Sequence, residues 1–196
     1  DIQEAIGPAT SDWVTRSLQQ AIQAEASLFI LRMDTPGGLD KSMRRIVQSI
    51  LASSVPVAVY VYPQGARAAS AGTYILYAAH IAAMAPATNV GAATPVQMGA
   101  PSLPSQPKPS QAKKQNTPRD SDVAEPSASS NKQDKNKQDT QKSAEDRPTE
   151  NGSTDAKTTM ERKIMNDAVA YLQSLATLRK RNKQWVVKAV RNSESL

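Results

Sequence analysis

Cysteine is absent from the 196 residues, and with it any disulfide framework or thiolate zinc site. Aromatic residues make up 4% and hydrophobic residues 39% of the sequence, so the folded part is smaller than the length alone would allow. No run approaches the roughly 20 apolar residues that cross a membrane. The opening Asp1-Ile2-Gln3-Glu4 has neither the basic nor the apolar stretch of a leader. Without an initiator methionine, the chain reads as a processed or trimmed product. Histidine occurs once, at His80. Acidic residues are the minority, 18 against 24 basic, for a net charge of +6. Residues 1–100 hold six basic and six acidic groups, residues 101–158 ten and nine, and residues 159–196 eight and three. The excess therefore centres on Arg179-Lys180-Arg181-Asn182-Lys183. A short basic cluster without interleaved aromatics reads as a solvated helix end, so no nucleic-acid partner is expected.

What is present is an alternation of short apolar runs with amphipathic stretches. Thr10 or Ser11 is placed to cap a helix with Val14, Leu18, Ala21 and Ile22 on one face. Ser27-Leu28-Phe29-Ile30-Leu31 has the look of a strand buried on both faces and ends at Asp34-Thr35-Pro36-Gly37-Gly38. A helical stretch follows with Leu39, Met43, Ile46, Val47 and Ile50 aligned, and Val55 to Tyr62 reads as a second buried strand. Strand, turn, helix and strand form a βαβ unit, whose right-handed crossover makes the strands parallel. Both strands then end on one edge, which brings the Pro36-Gly37-Gly38 turn to the Gly65–Ser70 turn, where ligands of such sheets bind. Helix-compatible residues run from Ala71 to Ala79, a third strand from Ile81 to Ala85, and small, turn-forming residues from Pro86 to Pro95.

From about Ala100 to Thr158 the sequence is dominated by Pro, Ser, Gln, Lys, Asp and Asn, a composition that cannot offset its ordering entropy by burial. A disordered insertion is expected there, and a coil of that length spans roughly 40 to 45 Å, enough to leave and rejoin one domain. Order is expected to return at Met160, with Ile164, Ala168, Tyr171, Leu172 and Leu175 on one face, followed by a short helix carrying Trp185, Val186, Ala189 and Val190.

In Gly65-Ala66-Arg67-Ala68-Ala69-Ser70-Ala71-Gly72-Thr73-Tyr74, small residues crowd one serine directly after a β-branched segment. A nucleophilic hydroxyl needs such a strand-to-helix turn, with a neighbouring amide free for an oxyanion; a close-packed helix start would have the same composition. The base is not His80, ten residues on and about 15 Å away along the intervening helix. A Ser-Lys pair, with the lysine neutralised by burial, is the alternative. Lys41, Lys163, Lys180, Lys183 and Lys188 lie in the ordered stretches. Lys163 adjoins the apolar stripe at Ile164, a position from which lysines also snorkel to solvent.

Asp34-Thr35-Pro36-Gly37-Gly38-Leu39, then Gly65 to Ile75, then Met84-Ala85-Pro86-Ala87-Thr88-Asn89-Val90-Gly91-Ala92-Ala93 closely resemble the protease domain of NfeD-type membrane-bound serine proteases. These belong to the Clp-protease and crotonase-like superfamily. Lys163 to Tyr171 is similar to that family's lysine-bearing helix. The resemblance implies an α/β fold of ClpP/crotonase-like repeated βαβ units with a mainly parallel sheet. Its core would comprise residues 1–99 and 159–196, divided by the disordered insertion 100–158. By position it makes Ser70 the nucleophile, Lys163 the general base, and the amides of Gly38 and Ala71 the oxyanion donors. Gly37 and Gly72 would border the substrate. No metal or cofactor is implied.

The implied substrate is an apolar peptide segment of a stomatin-like membrane protein. The implied assembly is a homodimer or larger, on the extracytoplasmic side, periplasmic or at the outer face of the membrane, with membrane association through parts outside this sequence. Compared with the family, the chain is expected to be a truncated product, without the signal sequence, most of the first strand, the closing helix-strand unit, the transmembrane helices and the C-terminal β-barrel. Two rival functions share the fold: an inactive scaffold that binds a stomatin-like protein, and an acyl-CoA enzyme, which would use carboxylates that are not near Ser70 in the sequence.

Overall fold

In chain order the elements are α1 (Pro8–Gln23), β1 (Phe29–Met33), α2 (Asp40–Leu51), β2 (Val57–Val61) and β3 (Arg67–Ala69). They continue with α3 (Ala71–Ala78), β4 (Ile81–Met84), β5 (Asn89–Gly91), α4 (Asn151–Leu178) and α5 (Lys183–Arg191). The computed structural model describes residues 1–96 and 151–196, the side chains of 151–157 excepted.

Strands β1, β2 and β4 form a parallel sheet in the order β1-β2-β4, the expected βαβ topology. Leu31, Met33, Val57, Val59 and Val61 meet Val14 and Leu18 of α1, Met43, Ile46, Val47 and Ile50 of α2, and Ile75 of α3 in one core. The expectation that β1 is buried on both faces is not met. The register sets Ile30, Ala58 and Ile81 in one row, and Ile30 is 59% and Ile81 51% exposed. The core helices pack on the Leu31 and Val59 side, so alternate residues of the strand face out.

α1 starts two residues ahead of its expected cap. Gly7 precedes Pro8 in extended conformation, and proline at the first helical position needs no amide partner. Ser11 is instead buried and donates its hydroxyl to Pro8 O at 2.9 Å. Leu39 lies at the N-terminal cap of α2, outside the apolar stripe, and is exposed.

A second, small sheet carries the turns. β3 and β5 pair in parallel, Thr35 bridges to Ala68, and Gly91 bridges to Ser195 in the antiparallel sense. The N-terminal residues also run beside β1: Ile2 bridges to Met33 and Ile6 to Gly38, and both isoleucines are fully buried.

Ala168, Leu172, Leu175 and Ala176 of α4 and Trp185, Val186, Ala189 and Val190 of α5 complete the core. Every residue of α3 is buried. The expected boundary at residue 159 falls inside α4, which begins at Asn151, because extending an existing helix gains a hydrogen bond for each residue fixed. The earlier part of the expected insertion, residues 100–150, lies outside the described residues. Among the described residues no helix is long and apolar enough to cross a membrane.

Candidate active site

Ser70 is the single residue between β3 and α3, with φ +50° and ψ −114°. A non-glycine residue held there costs about 1 to 3 kcal/mol, so its surroundings must impose it. They do: Ala69 N–H donates to Thr35 O at 3.1 Å, Ser70 N–H to Gly91 O at 2.9 Å, and Thr73 N–H to Ser70 O at 2.9 Å. Serine at a helix start ordinarily spends its hydroxyl on capping. Here Oγ makes no capping bond and has no hydrogen-bond partner among the described residues. The N–H of Ala71, in the first turn of α3, likewise has no acceptor among them, as expected at a helix N-terminus.

The second turn reaches the same place. Gly37 has φ +122°, and a methyl group built on it would stand 2.7 Å from Ser70 Cβ and 3.3 Å from Ser70 Oγ. Only glycine tolerates both the conformation and the contact. Gly37 O accepts Ile6 N–H at 2.8 Å, and Leu39 N–H donates to Ile6 O at 2.9 Å. In a trans peptide the carbonyl and the following amide point opposite ways, so Gly38 N–H is directed away from Ile6. Gly38 is exposed, and its amide has no acceptor among the described residues. Gly37 N–H is different: it donates to Thr35 Oγ1 at 3.1 Å.

Thr35 was within the recognised motif but without a role. It is fully buried, and its hydroxyl also lies 2.8 Å from Glu4 O and 3.1 Å from Gly37 O. Gly72, expected to border the substrate, is buried against this residue: a methyl there would come 2.7 Å from Thr35 Cγ2. Its missing side chain lets α3 lie close on the Thr35 turn. A polar residue between a buried strand and Pro-Gly-Gly was the signal available in the sequence.

Lys163 takes the solvent-facing of the two positions open to a lysine beside the apolar stripe. It is exposed and forms no hydrogen bond or ion pair among the described residues, Ser70 Oγ included. Its helix nevertheless packs on α3, the helix that follows the serine. Tyr74 Oη donates to Ala168 O at 3.4 Å and the Tyr74 and Tyr171 rings stack at 5.8 Å. Farther along, Arg179 Nε donates to Ala78 O at 2.8 Å.

A charged cluster ties α4 to α2 as well. Arg44 pairs with Asp40 at 2.9 Å and with Asp167 at 2.5 Å, and its guanidinium sits 4.3 Å from the Tyr171 ring centre. Burial works against the Arg44 charge, but the two carboxylates outweigh it and raise the pKa. Asp40 opens α2, two residues after Gly38. Lys163 and Asp167 are four apart and share a helix face.

His80 is a helix-end residue, as its spacing implied. Nδ1 accepts Val57 N–H at 3.2 Å, which keeps the proton off that nitrogen, and burial followed by the nearby Arg179 charge lowers its pKa. The basic cluster, expected to be solvated, is partly buried. Arg181 donates to the carbonyls of Leu76, Tyr77 and Ala79 at 3.0, 2.6 and 3.0 Å, capping the C-terminal end of α3. Among the described residues no group of three or more histidine or acidic side chains is placed to hold a metal ion.

Residues 1–143 match the family model described as NfeD1b, N-terminal domain. The chain is similar to membrane-bound protease PH1510 of Pyrococcus horikoshii, with 49% identity over 87 residues, 44% of this chain and 20% of that protein. The match therefore spans a fifth of that relative's length. Among solved structures, the chain is similar to a serine-to-alanine mutant of the 1510-N membrane-bound stomatin-specific protease, with TM-score 0.65, 31% identity and coverage of 100% of this chain and 69% of that one. It is also similar to a lysine-to-alanine mutant of 1510-N in complex with a substrate peptide, with TM-score 0.67, 29% identity and coverage of 100% and 65%.

Proposed function

The chain belongs to the NfeD1b N-terminal domain family, and from that premise we propose that it is a serine endopeptidase domain with a Ser70–Lys163 dyad. The observation that carries the reading is Ser70 itself: a strained serine at a helix start, packed against Gly37, its hydroxyl and the neighbouring amides of Gly38 and Ala71 without hydrogen-bond partners among the described residues. In the proposed reaction Ser70 Oγ attacks the scissile carbonyl carbon while Lys163 Nζ takes the hydroxyl proton. The oxyanion is held by the N–H groups of Gly38 and Ala71, an arrangement in which one donor is worth about 3 to 4 kcal/mol. Lys163 returns the proton to the leaving amine, and water, deprotonated by the same lysine, then cleaves the acyl-enzyme.

The packing of α4, the helix that carries Lys163, on α3 through Tyr74, Ala168 and Tyr171 supports the pairing. A peptide laid across the site would cover Lys163 and take its Nζ out of water. The 1510-N relatives are described as stomatin-specific, and the proposed substrate is accordingly an apolar segment of a stomatin-like membrane protein. We place the reaction on the extracytoplasmic side, in a homodimer or larger assembly that meets the membrane through parts outside this sequence.

The exposed position of Lys163 favours one second reading, a non-proteolytic scaffold that binds the same partner. Incubation of the wild type, Ser70→Ala and Lys163→Ala with an apolar peptide separates the two. Cleavage by the wild type alone supports the dyad, whereas an uncut peptide that binds all three equally supports the scaffold.

A further inference from the structure

We infer that Thr35 is a positioning residue for the oxyanion site, aiming the Gly38 amide through its hydroxyl; the inference rests on the protease reading. The Gly37-Gly38 turn has two amides that could face a substrate, and glycine pairs are free to rotate the peptide between them. Three contacts remove that freedom. Thr35 Oγ1 takes Gly37 N–H at 3.1 Å, so this donor is spent. The same hydroxyl has one proton, and Glu4 O at 2.8 Å is its nearer acceptor. Ile6 N–H holds Gly37 O at 2.8 Å, and the Thr35 hydroxyl lies 3.1 Å from the same oxygen. With both ends of the Gly37 unit fixed, Gly38 N–H is left as the turn's outward donor.

The rest of Thr35 ties this turn to the nucleophile. Its backbone exchanges hydrogen bonds with β3, taking Ala69 N–H at 3.1 Å and giving its own N–H to Arg67 O at 2.7 Å. Its methyl packs on Gly72 in the first turn of α3. One fully buried residue therefore spaces the Gly38 amide from the Ala71 amide, and a misplacement of about 1 Å is enough to cost on the order of 100-fold in rate.

The experiment compares Thr35→Val, which keeps the shape without the hydroxyl, with Thr35→Ser, which keeps the hydroxyl without the methyl. Each is assayed for apolar-peptide cleavage and for fluorophosphonate labelling of Ser70, at a temperature where circular dichroism reports it folded. Because the oxyanion forms only during reaction, the expected result for Thr35→Val is a kcat and a labelling rate lower by about 100-fold with KM within twofold, and recovery to within about fivefold in Thr35→Ser. A Thr35→Val enzyme with wild-type kcat overturns the inference. Should Thr35→Val not fold, Thr35→Ser decides: near wild-type kcat supports the hydroxyl's role, and a 100-fold loss in the folded serine variant overturns it. A wild type that neither labels nor cleaves refutes the protease reading instead.

Discussion

Gly37 and Ser70 are packed so closely that a side chain on the first would overlap the second: the nearest approach of an added methyl to Ser70 Cβ is 2.7 Å. Two turns more than thirty residues apart are thereby joined at one point. Gly37→Ala would also force φ +122° on an alanine. We predict a loss of stability of about 1 to 3 kcal/mol from that conformation and contact, together with loss of fluorophosphonate labelling at Ser70. Urea denaturation and labelling of the folded fraction check the two effects separately.

Arg44 links the start of α2 to Asp167, one helical turn from Lys163. Exposed ion pairs contribute little, about 0 to 1 kcal/mol, so Asp167→Asn is expected to leave the melting temperature nearly unchanged. Its effect belongs to the reaction: kcat should fall several-fold as the turn of α4 next to Lys163 loses its tie to α2. Steady-state kinetics beside thermal melts check this, and equal losses in both would assign the pair a purely structural part.

His80 gives the fold a pH dependence. Its folded pKa lies below the usual 6.5 because of burial and Arg179, so between those values the unfolded chain binds more protons and stability rises with pH. The contribution is fully present above about pH 6.5 and is lost as pH falls through the lowered folded value. Melting temperatures from pH 8 to pH 5 should show this decline in the wild type. The decline should be smaller in His80→Asn, whose amide oxygen can still accept Val57 N–H.

Arg181 closes the far end of α3, the helix that Ser70 begins, on three carbonyls. Arg181→Met keeps much of the packing on Tyr77 and leaves those carbonyls unpaired, at about 1 to 3 kcal/mol in unfolding free energy. Chemical denaturation measures it directly.

Much of this arrangement was legible in the sequence because it follows from periodicity and connection rules. The aligned Met43, Ile46, Val47 and Ile50 specified α2, and the βαβ crossover placed the Pro36-Gly37-Gly38 and Ser70 turns on one edge. Other features depend on partners distant in sequence. Ile30 looks as apolar as Leu31, and only the one-sided packing of the helices leaves it exposed. β3 and β5 are three residues each and draw their pairing from each other and from Thr35, so local composition read as turns. Arg179 and Arg181 looked like solvated charges because their acceptors, the carbonyls closing α3, carry no side-chain signature. Lys163 could be placed on its helix but not on a buried face, since a stripe-adjacent position is compatible with either.

The most direct test of the Ser70–Lys163 dyad is the rate and position of fluorophosphonate labelling in the wild type and in Lys163→Ala, with the adduct mapped by peptide mass spectrometry. A single adduct on Ser70 is expected in the wild type, formed at a rate that falls by about 100-fold or more when Lys163 is removed. An adduct elsewhere, or labelling of Ser70 at an unchanged rate in Lys163→Ala, would contradict it.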